Sequence, residues 1–206
     1  YGAPKEDVYY EKGRAEFGQG NMKEALGLFQ KCTKEDSDYA GCWLYQGKIF
    51  HKTKEYNKAV SALNQGISSS KGRSAEMYAV LGDVYFAQDR FDQAKGSYQK
   101  AISQDKNSAH GQYGWGRVYE ATGNTRQALN AYARAASNDK QVYALKSKER
   151  RGFIFLREQK YKDAFSIFQE VTSLNPNDAV LWNAFGESAL GVRDYTTALD
   201  SFNRSI

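Results

Sequence analysis

The sequence predicts an all-α protein built from repeated helical hairpins, and three observations carry that prediction. First, glycines recur at Gly13, Gly47, Gly82, Gly116, Gly152 and Gly186, at spacings of 34, 35, 34, 36 and 34 residues. Periods of this length are the signature of stacked-repeat folds. Second, fixed columns follow each glycine. An alanine stands twelve residues on (Ala25, Ala59, Ala94, Ala128, Ala164, Ala198), and a large side chain four beyond it (Phe29, Leu63, Tyr98, Tyr132, Phe168, Phe202). Three further on lies a mostly small residue: Cys32, Gly66, Ala101, Ala135, Val171 and Ser205. Third, each period carries two apolar stripes at helical spacing, split by a short polar break such as Gly20-Asn21, Gln88-Asp89-Arg90 or Gly123-Asn124. Only two prolines stand in 206 residues to interrupt such helices.

The third period shows the physics of one unit. Its first stripe is Tyr78, Leu81, Gly82 and Tyr85, and its second is Phe91, Ala94, Tyr98 and Ala101. Glycine and alanine at the crossing let two helices approach closely, and the aromatic rings fill the space on either side. One such hairpin leaves most of its apolar surface wet, so stability has to come from stacking on its neighbours.

This pattern resembles the tetratricopeptide repeat family, whose signature sets Trp, Leu-Gly, Tyr, Ala, Phe, Ala and Pro at fixed offsets. Trp43 and Trp182 stand at the Trp position, with Tyr9 and Tyr78 as aromatic substitutes, and Leu81-Gly82 matches the Leu-Gly pair. Phe50, Tyr85, Tyr119 and Phe155 fill the Tyr column, while only Pro176 matches the Pro column; Ser37, Lys71, Lys106 and Lys140 replace it elsewhere. In order, the units read 6–39, 40–73, 75–108, 109–142, 145–178 and 179–206. The resemblance implies a right-handed superhelical solenoid of antiparallel helix pairs, with 1–206 as a single array. In the first unit Lys12 and Glu16 replace core residues of the family pattern, as expected of a polar terminal unit. The last unit stops inside its second helix, which leaves the face formed by Leu199, Phe202 and Ile206 as an expected exposed surface. The absence of an initiator Met reads as a fragment or a processed chain.

Composition removes several classes. Hydrophobic residues make up 41% and aromatics 14%, too much apolar material for a disordered polymer. No apolar run approaches the roughly 20 residues a membrane-spanning helix needs, and no signal-peptide pattern opens the chain. His51 and His110 lack metal-protease spacing and a neighbouring nucleophile. Gly114-Trp115-Gly116 looks like part of a dinucleotide fingerprint but follows no strand, and Gly116 already belongs to a packing column. The expectation is therefore no active site, no cofactor and no metal. Cys32 and Cys42 read as two small, partly buried hydrophobes; a disulfide between neighbouring helices is the sharper alternative. With free thiols as the preferred reading, the expected compartment is the cytoplasm.

Two surfaces are candidates for partner contact. Between 140 and 162 stand eight basic residues (Lys140, Lys146, Lys148, Arg150, Arg151, Arg157, Lys160, Lys162) against Glu149 and Glu158. The net charge is +5, so the rest of the chain nets −1. A solvated helix face or an acidic protein partner explains this patch better than nucleic acid or an anionic membrane does. The family resemblance also implies a concave groove lined by the first helix of each unit. Its offsets fall here on Tyr10, Arg14, Phe17, Lys48, His51, Asp83, Phe86, His110, Tyr113, Arg117, Glu120, Glu149 and Phe153, and in the sixth unit on Asn183, Glu187 and Leu190. Aromatics beside Arg and Lys suit a segment with acidic and apolar side chains. The family's clamp for chaperone C-terminal tails is incomplete: Lys146 and Arg150 match it, whereas Ala79, Asp83 and Gly114 do not. The expected function is a non-catalytic protein–protein interaction scaffold. The alternatives are a self-associating structural array and a substrate-recruiting arm of a larger enzyme.

Overall fold

A computed structural model describes residues 2–72, 74–137 and 142–206. Among the described residues there are twelve α-helices and no strand. In chain order they are α1 (Lys5–Gln19), α2 (Met22–Glu35), α3 (Ala40–Lys52), α4 (Tyr56–Ser69), α5 (Ala75–Phe86), α6 (Phe91–Gln104), α7 (Ala109–Ala121), α8 (Thr125–Ala136), α9 (Val142–Arg157), α10 (Tyr161–Leu174), α11 (Ala179–Gly191) and α12 (Tyr195–Arg204). The chain divides into two compact units, Tyr1–Gly114 and Trp115–Ile206, with the division inside α7. Lys140 of the basic run lies outside the described residues.

Each unit is a stack of helix pairs. In the first, α1 pairs with α2, α3 with α4 and α5 with α6; α2 then lies on α3, α4 on α5, and the leading helices α1, α3 and α5 touch in succession. In the second, α9 pairs with α10 and α11 with α12, α8 lies on α9, α10 on α11, and α9 touches α11. Within each unit this is the all-α stack of helix pairs that the family resemblance implied.

The glycine column sets the crossing of every pair. A Cβ added at Gly13 would stand 2.7 Å from the Phe29 ring, at Gly47 2.5 Å from Leu63, and at Gly82 2.5 Å from the Tyr98 ring. At Gly116 it would lie 2.5 Å from Tyr132, at Gly152 2.9 Å from Phe168, and at Gly186 2.7 Å from Phe202. The partner is always the residue sixteen positions on, so one column makes the hole and another fills it. Phe202 therefore packs into its own hairpin; Leu199 on α12 is 65% exposed, and Ile206, past the end of that helix, is 104% exposed. The alanine column is sealed throughout, from Ala25 to Ala198.

The polar breaks become tight turns seven residues after each column glycine. Gly20 and Gly123 hold left-handed φ there, and so do Lys54, Asp89, Gln159 and Arg193. Ahead of two first helices the tryptophan column ties the loop down: Trp43 Nε1 donates to Ser37 O and Trp182 Nε1 to Pro176 O, both at 2.8 Å. Lys12 is exposed, and Glu16 accepts a 2.7 Å hydrogen bond from Asn21 Nδ2.

The cysteines are not free. Cys32 at the end of α2 and Cys42 at the start of α3 form a disulfide, and both are fully buried. Their columns face each other at the other junctions too. A Cβ on Gly66 would meet Met77 Sδ at 2.8 Å, one on Gly111 would stand 3.3 Å from Ala101 Cβ, and Val171 and Leu181 share a core cluster. The argument for the cytoplasm that rested on free thiols falls with this bond.

Candidate functional site

The inner helices of the first unit carry an aromatic and charged surface. Tyr10 and Phe17 on α1 meet Tyr45 on α3, with ring centroids 5.9 and 5.2 Å apart. Tyr45 is backed by the fully buried Phe29, stacked at 4.9 Å. Cations stand over these rings: Arg14 lies 5.5 Å from the Tyr10 centroid and Lys48 4.9 Å from that of Tyr45. A hydrogen bond donated to the Tyr45 hydroxyl oxygen, with Tyr45 and the Glu11 carboxylate nearby, pushes the Arg14 guanidinium above its ordinary value. Beside this surface Tyr39 donates to Asp7 Oδ1 at 3.0 Å, and burial together with that bond pushes its phenol up to about 12.

Further along the first unit the groove columns bind each other. Lys48 of α3 pairs with Glu76 of α5. Asp83 of α5 accepts from the Tyr98 hydroxyl at 2.6 Å and meets His110 Nε2 of α7 at 2.6 Å; the Asp83 and His110 side chains are only 14% and 12% exposed. Phe86 and His51 close the hairpin ends, lying 5.4 Å from Phe91 and 6.2 Å from Tyr56. Tyr113 is half-buried on α7.

In the second unit the same logic produces another cross-helix knot. Glu120 of α7 accepts from Tyr132 at 2.8 Å and from Arg150 Nε of α9 at 3.1 Å, with Arg157 3.9 Å away. The buried tyrosine column thus reaches a groove carboxylate in both units, Tyr98 to Asp83 and Tyr132 to Glu120. Arg117 is half-buried on α7, and Phe153 turns inward against buried Phe168, centroids 5.2 Å apart. Burial, reinforced by Asp178 and opposed by Lys146, pushes the Glu149 carboxyl above its usual range. On α11, Asn183 donates to Glu187 at 3.0 Å, and Leu190 is 47% exposed.

The basic residues of α9 do not share one face. Lys146, Arg150 and Arg157 follow helical spacing along one side, while Lys148 and Arg151 point elsewhere. Lys148 pairs with Glu170 at 2.6 Å, and Arg151 lies 6.0 Å from the Phe155 ring. Two features were not anticipated from the sequence. One is a groove of about 360 Å³ between α4, α5 and α6, lined by Tyr78, Leu81, Tyr85 and Lys100 among others. The other is a pocket of about 480 Å³ in the second unit, between the turn at 159–163 and Gly191–Arg193. No helix among the described residues is long and apolar enough to cross a membrane.

A stack of helix hairpins with glycine-set crossings and a laddered inner face defines an α-helical repeat scaffold, a class that works through protein contacts. The chain belongs to the tetratricopeptide repeat family: one family model matches residues 10–74 and a second matches 85–149. It is 27% identical over 134 residues to lipopolysaccharide assembly protein B of Escherichia coli, covering 63% of this chain and 34% of that protein. It is also 26% identical over 205 residues to superkiller complex protein 3 of Mus musculus, covering 94% of this chain and 13% of that one. The chain therefore spans a third or less of these relatives. Among solved structures, the Pseudomonas aeruginosa pilF protein superposes with a TM-score of 0.83 at 18% identity, over 96% of this chain and 88% of that one. A chain of the APC/C Cut9–Hcn1 hetero-tetramer gives 0.81 at 17%, over 97% and 39%. At these identities the structural likeness speaks for the fold.

Proposed function

We propose that residues 1–206 act as one non-catalytic scaffold that binds an extended or helical segment of a partner protein on the inner helices. The carrying observation is that in each unit the groove columns place half-buried aromatic and charged side chains on the leading helices. Interfaces draw most of their energy from such residues, Tyr and Arg above all. A preformed helical surface also keeps the ordering cost of binding low. The segment it fits has acidic and apolar side chains, with Lys146, Arg150 and Arg157 on α9 as a second contact. The assembly roles printed in the names of the relatives agree with a scaffold, and neither family model describes an enzyme.

Affinity capture tests this with wild type, an Arg14→Glu/Arg117→Glu inner-face variant and a Lys146→Glu/Arg157→Glu variant. A protein retained by wild type and lost by the inner-face variant supports the reading; one retained equally by both variants sinks it. Exposure of Leu199 and Ile206 favours a second reading, self-association through α12. The equivalent residue one repeat earlier, Phe165, is covered by Phe185 at 5.1 Å. Mass that rises with concentration, and falls back in Leu199→Glu, is the expected sign.

A further inference from the structure

The inner face of the first unit is not uniform. Where α3 meets α5 and where α5 meets α7, charged side chains reach across and bind each other: Lys48 with Glu76, and His110 with Asp83. A partner that engages those positions must first displace an intramolecular bond. Where α1 meets α3, rings dominate, Tyr10 and Phe17 against Tyr45, and the polar contacts are to tyrosine hydroxyls, Arg14 with Tyr45 and Tyr39 with Asp7, not between opposite charges. Arg14 lies over the centre of that junction, its side chain 48% exposed. Its pairing with Glu11 is long, 3.4 Å, between two exposed side chains one turn apart. Exposed pairs of this kind contribute little and exchange readily.

The backing is rigid. Tyr45 stacks on buried Phe29, Tyr10 and Tyr39 lie 5.1 Å apart, and the buried Cys32–Cys42 disulfide ties α2 to α3 directly behind the rings. A surface already ordered loses little freedom on binding.

Resting on the inner-face reading of the function, we infer that the partner is anchored at the α1–α3 junction, by a short segment with an aromatic or long aliphatic side chain next to a carboxylate. The apolar side chain lies among Tyr10, Phe17 and Tyr45. The carboxylate takes the Arg14 guanidinium from Glu11, a bidentate geometry that guanidinium favours. The α3–α7 stretch, neutralised within itself, contributes shape and little attraction.

The test is selection of random twelve-residue peptides displayed on phage against the folded chain. Four variants serve as comparators: Arg14→Glu, Tyr10→Ala, Tyr10→Phe, and a second-unit control, Val180→Glu at an exposed position of α11. Selected peptides should carry Phe, Trp, Tyr or Leu beside Asp or Glu. Their affinity should fall about tenfold or more in Arg14→Glu and Tyr10→Ala, and hold in Tyr10→Phe and the control. Arg14 is half-exposed, so its variant tests the site even if Tyr10→Ala folds poorly. Peptides with basic or featureless motifs, or peptides lost only with the control variant, overturn the inference and leave the inner-face reading standing. Peptides indifferent to every variant overturn both, and failure to select any peptide overturns the α1–α3 anchor.

Discussion

The junction of α2 with α3 in the first unit and that of α8 with α9 in the second both place a polar side chain immediately before the column glycine. The same column holds exposed Lys12, Trp115, and Leu81 and Phe185, of which the last two join the apolar cores. At the first junction the residue is Gln46, 4% exposed, and its amide donates to Phe29 O and to Thr33 Oγ1, both at 3.2 Å. Four residues earlier, Cys42 is bonded to Cys32. At the other junction the residue is Arg151, whose buried Nε has no hydrogen-bond partner, and Ser147 four residues earlier is fully buried with its hydroxyl unpartnered. One polar intrusion is satisfied and cross-linked; the other is neither. A buried polar group costs free energy when left unpaired and little when paired. The first junction is therefore predicted to be the firm one and α8–α9 the weak one.

The largest expected effect breaks the first junction. Cys32→Ala/Cys42→Ala should cost about 2 to 3 kcal/mol, the range for a short closed loop, read by denaturant unfolding; reductant on the wild type should reproduce it. Hydrogen exchange in that variant should rise first in α1 and α2, and unchanged stability would remove the staple from the comparison. Next comes repair of the weak junction. Ser147→Ala/Arg151→Leu should gain about 1 to 2 kcal/mol by removing two unpaired buried polar groups, unless the aliphatic stem of Arg151 already packs well. A net loss in the melt would show that it does.

Gln46→Leu should lie within about 1 kcal/mol of wild type, because the Phe29 carbonyl keeps Thr33 Oγ1 as a donor. A larger loss would mean the amide organises the junction beyond its two bonds. The smallest effect is pH dependence at α9. The Glu149 carboxyl is raised in the folded chain. Its stabilising contribution is therefore complete below the unfolded carboxylate range and is lost as pH rises through the raised folded value. Glu149→Gln should flatten that slope above the ordinary carboxylate range, seen as a smaller change in melting temperature than wild type shows.

Much of the candidate surface was legible before any coordinates. The groove offsets implied by the family resemblance put Tyr10, Arg14, Lys48, Asp83 and Glu120 on leading helices, where the fold has them, because a helical period carries a residue's direction with its position. What the period does not carry is which charges meet. Asp83 with His110, and Glu120 with Arg150, join residues 27 and 30 positions apart on different helices, and side-chain reach decides such pairs. Phe153 shared the periodicity of a groove residue yet packs inward. The disulfide had a visible signal: the Cys32 column meets the Cys42 column of the next unit at Gly66–Met77 and Ala101–Gly111 as well, so register favours bringing the two sulfurs together.

By itself, the sequence determined the repeat, the number of hairpins and the crossing of each pair. Those rest on local periodicity and on one steric rule, that a ring sixteen residues on needs a glycine opposite it. Only the tertiary structure decided that the cysteines are bonded, that the α9 cations point to two sides, and that most groove charges neutralise one another. Those outcomes depend on distances between helices remote in sequence, where an ångström separates a paired charge from one left for a partner.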